Sequence, residues 1–142
     1  MSRKLNWDYI NYRLQDIELE WCEIKSDIEK ESYGGYKNAI RSSYYCMFNA
    51  ASLLLYLDGY EFKKHSGVIS KFSEAYIKTG ILDEKLGKYL SDGFKERDDV
   101  DYRFKKPLTY ERVIRLYNKG LIFSQSVVPI INRKVDMYRN GK

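Results

Sequence analysis

Apolar residues return every third or fourth position along almost the whole chain. No stretch alternates with the period of two that a half-buried strand requires. Ile10, Leu14, Ile17, Trp21, Ile24 and Ile28 recur in alternating steps of four and three, a single stripe along a helix from about Asn6 to Lys30. Ser32-Tyr33-Gly34-Gly35 breaks the chain, and a second helix is expected from about Tyr36 to Asp58. It carries two stripes, Ile40/Tyr44/Met47/Ala51/Leu54 and Tyr45/Phe48/Leu55. A helix apolar on two sides belongs at the centre of a bundle. Gly59 suits a left-handed stop just after it.

The basic segment Lys63-Lys64-His65 reads as a loop. Ser66 is the expected cap of a short third helix, about Gly67 to Lys78, with Ile69, Phe72 and Tyr76 inward. Asp83 caps a fourth helix, about Glu84 to Tyr102. After a loop containing Pro107, Thr109 caps a fifth that runs to about Tyr138, with a kink expected near Pro129. The sum is an all-α fold: an antiparallel bundle of four long helices plus one short one, in a single domain over residues 1–142.

Composition narrows the function classes. With 44% hydrophobic and 32% charged residues, the chain has enough apolar surface for one core. Its longest apolar run, Ala50 to Leu57, is interrupted by Ser52 and too short for a bilayer, so no membrane role is expected. No apolar stretch follows the charged N-terminal residues, which points to a cytoplasmic location. Cys22 and Cys46 have no second cysteine or histidine at ligand spacing; both read as buried helix residues, and neither a metal nor a cofactor is expected. The net charge of +5, from 25 basic and 20 acidic side chains, is compatible with a nucleic-acid partner.

The fourth helix breaks its own pattern. Its inward stripe is Leu82, Leu86, Leu90, Gly93, Arg97, Val100, so Arg97 falls in phase with apolar residues. An arginine on that face is costly unless paired, and Asp101 lies at i+4 to pair with it. Gly93, one turn earlier, is expected to leave room beside the guanidinium. Such a break accommodates a register-holding ion pair or an anion-binding arginine.

The segment Arg97-Asp98-Asp99-Val100-Asp101-Tyr102 resembles the HEPN superfamily motif, an Arg, a polar residue, about three more residues and a His. Ala39-Ile40-Arg41-Ser42-Ser43-Tyr44-Tyr45-Cys46-Met47-Phe48-Asn49-Ala50-Ala51 and Lys64-His65-Ser66-Gly67-Val68-Ile69-Ser70-Lys71-Phe72 are similar to segments of one prokaryotic HEPN family. With Lys78-Thr79-Gly80-Ile81-Leu82, the resemblance spans residues 36–103. It implies a bundle that dimerises through its motif helix, here the fourth. It also implies RNA or a nucleotide as ligand, and often a nucleotidyltransferase as antitoxin partner. Many members are metal-independent endoribonucleases; others bind without cutting.

Carried onto this chain, the resemblance makes Arg97, Asp98 and Tyr102 the candidate catalytic residues. Lys63, Lys64, His65, Arg41 and Arg103 are candidate substrate-binding residues. The departure is Tyr102, which stands where the motif has His; a tyrosine with a pKa near ~10 is a poor base at neutral pH. His65 is the only histidine. Three readings follow: a ribonuclease-like toxin or defence component, a non-catalytic RNA- or nucleotide-binding module, and a structural helical dimer in which Arg97 is an internal salt bridge.

Overall fold

A computed structural model describes residues 4–141, and among them there is no strand. Five helices follow one another: α1 (Trp7–Glu29), α2 (Tyr33–Leu57), α3 (His65–Phe72), α4 (Glu84–Asp98) and α5 (Tyr110–Arg139). Two of them end in a widened, π-helical turn, Ser73–Ile77 after α3 and Asp99–Arg103 after α4.

Local chemistry sets most of the helix starts. Asn6 Oδ1 accepts the backbone N–H of Tyr9, Asp83 Oδ1 that of Lys85, and Thr109 Oγ1 that of Arg112, each satisfying a donor the first turn leaves free. Ser32 does the same for α2 by accepting from Gly35 N–H at 3.0 Å. The helix therefore begins at Tyr33, and Gly34 and Gly35 belong to its first turn rather than to a break. Gly35 is there because the end of α1 passes close by: a Cβ would sit 2.4 Å from the Asp27 carbonyl oxygen.

α3 also starts earlier than its sequence suggests. Lys64, not Ser66, is the cap position, it makes no side-chain capping bond, and His65 is the first helical residue. The start is fixed from outside, by the packing of the His65 ring on α2.

α2 is the central helix and touches α1, α3, α4 and α5. Its Ala39, Ile40, Tyr44, Met47, Ala50, Ala51, Leu53, Leu54 and Leu55 are fully buried. The α1 stripe supplies Ile10, Ile17, Trp21, Ile24 and Ile28 to the same core, and α5 supplies Val113, Leu116, Phe123, Val127, Ile131 and Val135. Cys46 is buried, whereas Cys22 is exposed, because its neighbour Trp21 takes the inward position on α1. α5 runs without interruption through Pro129, whose ring lies on the exposed face.

Candidate functional site

The inward face of α4 carries Leu86, Leu90 and Gly93 against α2, and Arg97 follows them one turn later. Gly93 makes room for α2 rather than for the guanidinium: a Cβ would lie 2.7 Å from Met47 Cε and 3.2 Å from Tyr44 Cδ1. The close approach draws Arg97 down onto the aromatic side of α2. Its side chain is 14% exposed. The guanidinium carbon lies 5.7 Å from the ring centres of Tyr44, Tyr45 and Phe94, and 6.0 Å from that of Tyr102. Ring faces attract a cation without neutralising it.

Among the described residues, the one carboxylate paired with this charge is shared. Asp101 Oδ2 is 3.9 Å from Arg97 Nη1, a loose ion pair, while its Oδ1 accepts a 2.5 Å hydrogen bond from Arg41 Nε on α2. Arg97 Nε is buried and has no hydrogen-bond partner. Two arginines thus share one carboxylate, and the less well served is held in a low-dielectric aromatic setting. Such a site favours an incoming anion.

The π-helical turn places the rest of the motif. Asp98 pairs with Arg103 at 3.2 Å on the surface and does not turn toward Arg97. Tyr102 is 67% exposed. Phe104 ends the turn in a left-handed conformation, φ +55°, and is also exposed.

His65 comes to the same place from α3. Its imidazole stacks on Phe48 with ring centres 4.1 Å apart, and its Nδ1 is 2.7 Å from Tyr44 Oη. The ring also leans on Tyr44 and Tyr45, the two rings that flank Arg97. Burial, and then the charge of Arg97, hold its pKa below the ordinary 6.5. Burial raises the Tyr44 phenol well above its ordinary value, so it stays protonated.

Of the residues singled out from the sequence, Arg97, Arg41, His65 and Tyr102 meet at one corner formed by α2, α3 and α4. Asp98 and Arg103 form a pair beside it. Lys63 and Lys64 lead directly into His65, with Lys64 at the cap position of α3. Lys63 lines a cavity of about 570 Å³ with Tyr9, Arg13, Phe48, Tyr60 and Phe62, and Phe48 is the ring on which His65 stacks. Among the described residues, no cluster of three or more His, Cys, Asp or Glu side chains is placed to hold a metal ion, and no helix is long and apolar enough to cross a membrane.

Sequence reasoning missed a second arginine. Arg112, in the first turn of α5, donates to Glu96 at 2.9 and 3.3 Å and to Asp99 at 2.7 Å. It also reaches the carbonyls of Lys106 and Pro107. Asp99 accepts the Lys105 backbone N–H as well. Although burial opposes it, these donors hold the Asp99 carboxyl below its ordinary value. The network clamps the π-helical turn to α5 and so fixes where Asp101 and Tyr102 stand. Its signal was faint, since Arg112 sits just after a cap, where a polar residue is unremarkable.

The HEPN domain model matches residues 22–127. A Methanocaldococcus jannaschii protein named "Putative toxin MJ0142" is 35% identical over 107 residues, 74% of this chain and 73% of that one. A "UPF0332 protein" of Archaeoglobus fulgidus is 28% identical over 126 residues, 89% of this chain and 98% of that one. Another of that name, from Thermotoga maritima, is 38% identical over 65 residues, 46% of this chain and only 49% of its own length. The match runs through the central helix, the arginine corner and most of α5, and on that breadth the chain belongs to the HEPN domain family.

Proposed function

We propose that this chain is a ribonuclease-like toxin or defence component that cleaves RNA without a metal ion, acting as a homodimer through α4. A nucleotidyltransferase-type protein is the proposed antitoxin partner, and the cytoplasm the proposed location. One observation carries the reading: Arg97 is a half-buried cation whose nearest carboxylate is already committed to Arg41. An arginine so placed offers its fork to a phosphate and strengthens its hold as charge develops there. The toxin name of the Methanocaldococcus relative supports the same reading. Pairing α4 with its copy would bring two Arg97 residues to one cleft. Asp98, Tyr102 and Arg103 would lie at its rim, and Lys63 and Lys64 farther along the RNA.

The test is incubation of wild type and Arg97→Ala with mixed cellular RNA in EDTA. Fragments from the wild type alone are expected. Intact RNA in both lanes would reject the enzyme.

Tyr102 favours a second reading, a module that binds RNA or a nucleotide without cutting, because its exposed ring can stack on a base but is a poor proton acceptor. Salt-sensitive RNA binding, weakened in Arg97→Ala, with no cleavage by the wild type, is the result that reading requires.

A further inference from the structure

We infer that His65 is the general base of this site, taking the place of the histidine that the motif lacks at Tyr102. The inference rests on the ribonuclease reading and names the residue that reading leaves open. Its ground is a juxtaposition of three helices. α3 delivers the imidazole, α2 holds it against the Phe48 face and Tyr44 Oη, and α4 brings Arg97 against Tyr44 and Tyr45, the two tyrosine rings that His65 also meets.

The 2.7 Å contact between Tyr44 Oη and Nδ1 serves either tautomer, and we assign the one in which Nδ1–H donates to Tyr44 Oη and Nε2 keeps its lone pair for a proton. The same hydrogen bond survives when the ring becomes charged, so the imidazole keeps its orientation through the proton transfer. The phenol itself stays neutral, being held far above its ordinary pKa by burial. The ionisable and charged groups facing His65 are Tyr44 and Tyr45 from α2 and Arg97 from α4, with Lys63 and Lys64 preceding it in the chain. No carboxylate is among them. The imidazole is therefore kept neutral and ready to accept at physiological pH.

The step is a transesterification. With the phosphate held by Arg97, Nε2 takes the proton of the ribose 2′-hydroxyl, O2′ bonds to phosphorus, and the P–O5′ bond breaks. The departing 5′ oxygen takes a proton from water, and His65 returns its own to solvent. The products are a 2′,3′-cyclic phosphate and a 5′-hydroxyl end, with nothing oxidised or reduced.

Because His65 is the only histidine, its NMR signal needs no assignment among others. The experiment titrates that signal in the wild-type protein and measures RNA cleavage in EDTA over the same pH range. The rate is expected to rise tenfold per pH unit up to the pKa read by NMR, below 6.5, and then to level off. His65→Asn is expected to lose about 100-fold or more in rate while still binding RNA. Tyr44→Phe keeps the imidazole and is expected to slow cleavage less and to shift the NMR pKa. Equal cleavage by wild type and His65→Asn would overturn the inference and leave the ribonuclease reading standing. An acid limb that departs from the NMR pKa would overturn it too, even if His65→Asn fails to fold. A wild type that cuts no RNA would overturn both.

Discussion

Arg97 and Arg112 both point into the bundle from helices that pack together, yet they are served differently. Arg112 is 6% exposed and makes five hydrogen bonds, three to carboxylate oxygens and two to backbone carbonyls. Arg97 has ring faces, one loose contact at 3.9 Å and an Nε with no partner. A buried cation whose donors are all used stabilises a fold and has nothing left to offer a ligand. One whose charge is attracted but not neutralised keeps its capacity to bind. The difference separates a structural arginine from a functional one inside a single small domain.

The comparison is broken most directly by removing each side chain. Arg112→Ala takes the arginine from the buried carboxylate of Asp99 and leaves the half-buried Glu96 to Lys106, and should cost about 3–5 kcal/mol of stability in chemical denaturation. Arg97→Ala strands no charge, since Asp101 keeps Arg41, and should cost about 1 kcal/mol, mostly lost ring contact. Equal losses in the two variants would erase the distinction.

Gly93→Ala sharpens the contrast from the other side. Its methyl would push on Tyr44 and Met47, and a loss of about 1–3 kcal/mol is expected. The same shift should move the His65 NMR signal, which an effect confined to the Arg112 clamp would not do.

The pH dependence of stability gives the smallest effects, and the two regions respond in different windows. The Asp99 carboxyl is depressed below 3.8, so its contribution is complete above that value and is lost as pH falls through the folded pKa. Arg112→Met should remove much of this acid loss. The imidazole of His65 is depressed below 6.5, so the unfolded chain binds its proton more readily. Stability should therefore decline as pH drops from about 6.5 to the folded pKa and be flat with respect to this group below it. His65→Asn should abolish that step in a urea titration repeated at each pH.

Side-chain spacing was enough to place five helices, make α2 central and turn Arg97 inward. Those properties follow from the spacing of side chains along a regular helix, and Asn6, Asp83 and Thr109 act within one turn of their own positions. Ser66 shows the limit of local reasoning: it had the chemistry of a cap, but ring packing across the bundle started α3 one residue ahead of it. The widened turn after α4 was equally hidden, because it depends on Arg112, a residue from the next helix. Tertiary structure alone decided that Asp101 belongs chiefly to Arg41, sixty positions away, and that His65 and Arg97 share the rings of Tyr44 and Tyr45. Periodicity says which face of a helix turns inward; only the packing of several helices says which charges meet there and which of them is left without a full partner.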